Sequence, residues 1–431
     1  MSRQHPLPPH PTASRSPKPQ SVSTYFIYYL IARACSALHD AILSVAIGWH
    51  LYRLTGDPFD LALVGLMQVT PMLAFFIVTG WVIDNFSRKK ILMLCALAET
   101  AIFLSLAVVM HRPDINTHLI FILLFAHGLS KAFLSPAQSA LLPNLVEREV
   151  LSKAVAITST VWNVASTGGP FVAGILIAWL DIDTYWILSL LALSATLALS
   201  RLPTLITTKP LERGLKQLFS GIRFITHSPF VLGSITLDVF IILFGSVVTL
   251  LPIYTVEVLH VGPEALGILR GMPALGAVFV GIGIAKSAPF KHAGIALFSA
   301  LTIFSLSILL FAFSTSLWLS LGALFLYGAT DMVSVNIRGT LLQLATPDAL
   351  RGRVSAINFI FISSSNNLGD FRAGSVAALC PPVATAAIGG VMALMVTVAG
   401  YFLFPKIRNL RHLEDASYQA TQPVDSQTHP E

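Results

Sequence analysis

The stretch LLPNLVEREVLSKAVAITSTVWNVASTGGPFVAG, residues 141–174, has a partner in LLQLATPDALRGRVSAINFIFISSSNNLGDFRAG, residues 341–374. At a constant offset of 200, Leu141, Leu142, Ala156, Ile157, Gly169, Phe171, Ala173 and Gly174 are matched by Leu341, Leu342, Ala356, Ile357, Gly369, Phe371, Ala373 and Gly374. Near an offset of 202, GLMQVTPML from Gly65 resembles GILRGMPAL from Gly267. Each copy keeps the same order of polar turn and apolar run, so the chain is a tandem duplication with both copies in one orientation.

The surroundings say what is duplicated. The chain has 431 residues, 55% hydrophobic and 11% charged, whereas a soluble domain carries about 25% charged residues. So much apolar surface has to face lipid, which excludes soluble enzymes. Apolar runs fall at 24–52, 59–83, 90–110, 117–141, 154–179 and 184–202, then at 230–256, 263–285, 293–313, 316–344, 354–380 and 383–404. Each suits a helix of the ~20 residues that cross a bilayer core. The expected fold is all-α: twelve transmembrane helices in two six-helix bundles, 24–202 and 230–404, related by a pseudo-twofold parallel repeat. In transporters such a repeat places the substrate site between the halves, near the bilayer midplane.

Residues 1–23, with six prolines, cannot bury enough apolar area to order themselves and are expected to form a disordered tail; 405–431 is a second tail. Residues 203–229 form the linker, where Leu215, Leu218, Phe219, Ile222 and Phe224 are spaced for an amphipathic helix at the membrane surface, or else for a solvated connector. With the N-terminus in the cytoplasm, 20 of the 27 Lys and Arg lie on that side and only Arg53 and Arg112 on the other, as the positive-inside bias requires. Both tails and the linker are then cytoplasmic. The net charge of +6 marks topology, not nucleic-acid binding. Cys35, Cys95 and Cys380 show neither a disulfide framework nor metal spacing, and no phosphate loop supports ATP hydrolysis. No cofactor or metal is expected.

Two motifs have a recognisable form. Gly80, Asp84, Arg88 and Lys89, in GWVIDNFSRKK, combine a small residue, a carboxylate at a helix end and cations in a turn. This resembles the signature loop of the major facilitator superfamily, with Asn85 and Ser87 departing from it. Gly169, Pro170 and Gly174, in GGPFVAG, allow close helix contact and a bend; they resemble part of the facilitator antiporter motif, with Ala165 and Ala173 replacing glycines, and packing alone also explains them. The stretches 142–170, 236–277 and 328–374 resemble the enterobactin-exporter branch of the facilitators, a group that includes macrolide and multidrug effluxers. The resemblance implies proton-driven export from the bacterial cytoplasm across the inner membrane, with a siderophore as leading substrate class.

Charges inside the spans are the site candidates, since each costs several kcal/mol in hydrocarbon unless paired or wet. A proton carrier is a buried acid whose ionisation a neighbour can toggle. Asp40 and Asp238 come first, because the resemblance makes spans 1 and 7 cavity-lining; Asp370 and Asp331 follow. A static ion pair is the alternative for each. Arg33, Arg270, Arg338 and Arg372 are candidates to bind an oxygen-rich anion, with capping of helix carbonyls as the alternative. Asp331 and Arg338, seven apart, share a face but are expected to seek partners on other helices. Asp370 and Arg372 point apart. Glu99 and Lys131 are expected to be structural ion-pair partners. His39, His50 and His127 could shuttle protons.

The expectation is a monomeric facilitator that works on a small molecule, siderophore or drug-like, with protons and the bilayer as its other partners. A general multidrug or macrolide effluxer and a non-transporting receptor or scaffold are the rivals.

Overall fold

The computed structural model describes residues 24–147, 150–203, 222–286 and 290–415. Most of the linker, residues 204–221, and both expected tails up to 23 and beyond 415 lie outside the described residues; Ile222–His227 is helical. Among the described residues there is no strand.

The first half contains α1 (Thr24–Thr55), α2 (Pro58–Ala74), α3 (Phe76–Asn85), α4 (Arg88–Met110), α5 (Thr117–Leu141), α6 (Leu151–Leu180) and α7 (Thr184–Ser200). The second contains α8 (Pro229–Gly245), α9 (Pro263–Lys286), α10 (Ala293–Ala312), α11 (Leu317–Leu344), α12 (Asp348–Ala377) and α13 (Pro382–Leu403).

Local chemistry sets the ends. Asn116 accepts from the N–H groups of His118 and Leu119 at 3.0 and 3.4 Å and so starts α5; Asp57, accepting from Phe59 at 2.8 Å, starts α2 with Pro58 behind it. The run 59–83 is broken at Phe75, whose N–H still bonds Pro71 O at 3.0 Å; Pro71, in the last turn of α2, has no N–H to offer the Met67 carbonyl. The run 230–256 stops being regular after Gly245: a 3₁₀ turn at Val248–Leu250, one α turn and a π turn at Tyr254–Val258 follow.

Nine segments among the described residues are long and apolar enough to cross a membrane. The difference from twelve has physical causes. α2 is cut short at 17 residues, α6 and α7 run through a tight turn as one 50-residue segment, and α12 is polar, with Asp370 and Arg372 in its second half.

Packing repeats as the sequence does. In the first half α1 lies on α6 and α7, α4 on α5 and α7, and α2 on α5; in the second α8 lies on α12 and α13, α10 on α11 and α13, and α9 on α11. Across the halves α6 meets α9 and α12 meets α2. These crossings need small residues. A Cβ on Gly174 would stand 2.8 Å from the Gly267 Cα, and one on Gly374 would stand 2.7 Å from the Ala62 nitrogen. Backbones this close gain dispersion contacts that drive helix association where lipid removes the hydrophobic term.

All these close approaches lie at one end of the molecule, the end of Gly56 and Gly262. Tyr52 also donates to Glu257 there, and Phe59 packs on Phe371. One apolar cluster spans both halves through Val45, Trp49, Leu251 and Leu266, whereas a second, around Phe26, Leu92, Leu134 and Leu199, belongs to the first half alone. Toward the other end the crossing helices expose Val155 and Val164 of α6, Phe279 and Ile282 of α9, and Phe361 of α12. The molecule is closed at the first end and parted at the second.

Candidate functional site

The charged side chains gather in three groups between the closed end and the gap. In the first half, α1 brings Asp40 against α5, where Lys131 Nζ donates to Asp40 Oδ2 at 2.9 Å. His127, one turn earlier on α5, puts Nε2 3.6 Å from Asp40 Oδ1 and Nδ1 2.7 Å from Glu99 Oε2 on α4. His39 Nδ1 lies 3.3 Å from Asp40. Glu99 and His127 are 2% and 1% exposed, so this pair forms the sealed end of a row that opens at Lys131. Arg33, two turns before Asp40, donates to the Gln138 side chain on α5.

In the second half, α11 presents Arg338 to two carboxylates. Asp238 on α8 is in direct contact with its guanidinium, and Asp331, two turns back on α11, is 3.9 Å from Nη2. Arg338 Nε also donates to Ser334 Oγ at 2.9 Å. Arg338 has the expected partner on another helix, whereas Asp331, expected to find one too, has among the described residues only the long ion pair to Arg338 of its own helix. Asp238 and Arg338 are buried, at 8% and 6%, while Asp331 is 38% exposed.

The third group sits where α8 ends. Asp370 accepts from Ser246 Oγ at 2.5 Å. Arg372, on a different side of α12, donates Nε to Leu243 O at 3.0 Å and Nη2 to Phe244 O at 2.9 Å. Those carbonyls have no following turn of helix to bond them, so Arg372 does for α8 what a capping residue would. Arg270 of α9 and Arg372 both act electrostatically on Asp370. Asp370 also borders the other half, its Cβ 3.5 Å from where a Cβ on Gly65 would be. Arg270 Nη1 lies 3.8 Å from the equivalent point on Gly48 of α1.

The two motifs are placed as follows. Arg88 Nη1 donates to Ala140 O at 2.8 Å, and Lys89 Nζ to Ser200 O at 3.2 Å and to Leu202 O, so these cations close the ends of α5 and α7. Gly80 has open space around it, and Asp84 is in the last turn of α3, its side chain outside the described residues. Gly169 packs on Ala41 of α1, and Pro170 O and Gly174 face Gly267.

Sequence reasoning singled out the acids and arginines. It expected Lys131 only as a structural ion-pair partner; Lys131 does pair with Asp40, but it is also 47% exposed and the most open cation of the three groups named here. The available signal was the offset of 200, which sets Lys131 against Asp331. Among the described residues no cluster of His, Cys, Asp and Glu is arranged to hold a metal ion.

A family profile described as "Transmembrane secretion effector" matches residues 16–430. Similar curated proteins include the enterobactin exporter EntS of Escherichia coli O9:H4, 26% identical over 395 residues that cover 91% of this chain and 94% of the exporter. EntS of Citrobacter koseri is 25% identical over 388 residues, covering 88% and 92%. The fold is similar to that of the nucleoside transporter NupG (D323A mutant), with a TM-score of 0.69 at 11% identity, covering 89% of this chain and all of that one. It is also similar to a bacterial homologue of the iron transporter ferroportin in its inward-facing state, with a TM-score of 0.66 at 15% identity, covering 91% and 100%.

Proposed function

The chain belongs to the transmembrane secretion effector family of the major facilitators, and from that premise we propose that it exports a siderophore-class molecule from the bacterial cytoplasm in exchange for inward protons. The proposed frame is twelve spans in two six-helix bundles, 24–202 and 230–404, joined by a cytoplasmic linker at 203–229, with tails 1–23 and 405–431 on the same side of the inner membrane. Placing the Lys- and Arg-rich loops inside makes the closed end the outer face, so the parted end opens to the cytoplasm, where an exporter loads. Export then requires the Gly174–Gly267 and Ala62–Gly374 crossings to separate while the inner end closes, the rocking motion expected of parallel repeats.

One observation carries the proton coupling: Arg338 faces two carboxylates, and the surplus one, Asp331, is the one open to the gap. A second anion beside one guanidinium is stable while water reaches it; enclosed, it costs several kcal/mol unless it takes a proton. We assign Asp331 as the carrier, with Asp40 as the corresponding acid of the first half. Asp238 and Asp370, held by Arg338 and Ser246, position their neighbours. One proton crossing 100 mV supplies ~2.3 kcal/mol, roughly a 50-fold gradient of a neutral cargo.

The likeness to enterobactin exporters supports the cargo class. The test is secretion by iron-limited cells that make enterobactin but lack their own exporter. Expression of this chain restores enterobactin to the medium, and Asp331→Asn lowers it at least tenfold with the protein still in the membrane. No secretion by the unaltered chain refutes the cargo; unchanged secretion by Asp331→Asn refutes the carrier. A cleft lined by Ile235, Val239, Phe240 and Phe361, nearly all apolar, favours a second reading, efflux of lipophilic drugs, which the same cells report as altered resistance.

A further inference from the structure

Lys131 and Asp331 stand at the offset of 200 that relates the two halves, and each is the fifteenth residue of its helix, counted from Thr117 in α5 and from Leu317 in α11. At 1.5 Å per residue both lie about 21 Å along from the closed end. Nine residues before each, half a turn around the helix, are the exposed Ile122 and Gly322. With lipid on those faces, Lys131 and Asp331 look the opposite way. Both are substantially exposed, and a charge turned toward hydrocarbon would cost several kcal/mol. Their exposure is therefore to the gap between the halves, a cation on one wall and an anion at the matching depth on the other.

We propose that this gap is a dipolar substrate slot, in which Lys131 receives an oxyanion of the transported molecule and Asp331 receives an N–H or O–H donor, or a cation, from its other end. The proposal rests on the export reading and narrows its cargo to amphoteric molecules, with a catechol, hydroxamate or carboxylate oxygen at one end and an amide, amine or hydroxyl at the other. An ammonium has three N–H donors. Lys131 gives one to Asp40 at 2.9 Å, which leaves capacity for a ligand oxygen without breaking that pair. Among the described residues Asp331 has only the long 3.9 Å ion pair to Arg338. Three of the arginines are worse placed, since Arg33 is bonded to Gln138, Arg338 is enclosed by Asp238, and Arg372 is engaged with the end of α8; Arg270, the eighth residue of α9, lies only about 10 Å from the closed end.

The slot can be read without knowing the cargo. In the full chain with Cys35, Cys95 and Cys380 replaced by alanine, a single cysteine is placed at Ser135 or at Val335, one turn beyond Lys131 or Asp331 on the same face. Each is reacted in proteoliposomes with a sulfonate and with a trimethylammonium methanethiosulfonate, the rates being referred to a free thiol. The anionic-to-cationic rate ratio is expected to be higher at position 135 than at 335 by on the order of tenfold. Lys131→Met collapses the first ratio and Asp331→Asn the second. Equal ratios, ratios that ignore these substitutions, or no reaction at either position overturn the slot.

A transport arm separates this from the parent reading. Enterobactin secretion falls at least tenfold in Lys131→Met and returns in Lys131→Arg. If the unaltered chain does not export enterobactin but the ratios differ as stated, the slot stands and the cargo reading falls. If enterobactin is exported while the ratios are flat, the slot falls alone.

Discussion

Replacing Arg338 by methionine is the sharpest probe of how the second half is held together. The change keeps a long apolar stem but removes the cation from Asp238, which is 8% exposed. Leaving one member of a buried ion pair behind costs about 3–5 kcal/mol, and loss of the Nε bond to Ser334 adds about 1 kcal/mol. Asp331, 38% exposed, adds under ~1 kcal/mol because solvent screens it. The sum expected for Arg338→Met is about 4–7 kcal/mol. Asp238→Asn should cost much less, about 1–2 kcal/mol, because the guanidinium it leaves behind keeps Asp331 as a partner and the new amide can still accept a hydrogen bond. In the double variant the buried charges are gone together, so the total should fall below the sum of the two single changes by about 2–3 kcal/mol. The assay is reversible unfolding in mixed micelles titrated with dodecyl sulfate, followed by far-UV circular dichroism. Equal losses for the two single variants, or a double variant that equals their sum, would refute the reasoning, since either result denies that one guanidinium serves two carboxylates.

Tyr52→Phe removes the hydroxyl that bonds Glu257 across the closed end; it should favour opening there by about 1.5–3 kcal/mol, read as faster alkylation of a cysteine placed at Gly48, and an unchanged rate sinks the latch. Glu99→Gln keeps the shape around His127 but removes the charge bonded at 2.7 Å; a loss of about 1.5–3 kcal/mol is expected, with no change if the pair is neutral in the native protein. His111, beyond the end of α4, bonds Ala107 O and Asp183, contacts that hold its imidazole above the ordinary range. Its stabilising contribution is therefore full below the unfolded value near 6.5 and is lost as pH rises through the higher folded value. His111→Asn should flatten the fall of the melting temperature with pH between those two values, and an unaltered profile contradicts the assignment.

The helix ends were largely legible because hydropathy reports what must avoid water: the run 117–141 coincides with α5, and 154–179 and 263–285 miss α6 and α9 by at most three residues. The breaks were not. Residues 230–256 read as one apolar run interrupted only by the charge of Asp238, yet the α-helix ends at Gly245, and hydropathy does not register which carbonyl bonds which amide. That hidden break decides the fate of Arg372, whose partners are the carbonyls the break leaves free. The site shows the same division. Sequence identifies which charges lie inside spans, since composition alone makes them anomalous, but pairing depends on helix rotation. Arg338 reaches Asp238 only because α8 turns that face toward α11, and Lys131, paired with Asp40 as expected, owes its exposure to a helix rotation that sequence does not register.

What the duplication repeats and what it varies are different in kind. Gly128 packs on Gln68 of α2, and Gly328, at the offset of 200, packs on Pro273 of α9; Gly169 meets α1, and Gly369 meets α8. At these contact points the backbones approach so closely that a side chain cannot be inserted in one half without displacing a helix, and under the proposed rocking motion the frame tolerates little difference between its halves. On the faces turned to the gap the same offset pairs His127 with Tyr327, Lys131 with Asp331 and Gln138 with Arg338. A symmetric chamber of like charges would repel itself and would bind both ends of a ligand alike. Opposite charges at equivalent depth avoid that repulsion and make the two ends of a cargo distinguishable. Swapping them, Lys131→Asp with Asp331→Lys, keeps the net charge and the packing frame but leaves Asp40 facing a carboxylate and Arg338 facing an ammonium. If the dipole alone mattered, the swapped protein would still export; the structure requires that it fail, because each wall's charge is set by the fixed partner behind it.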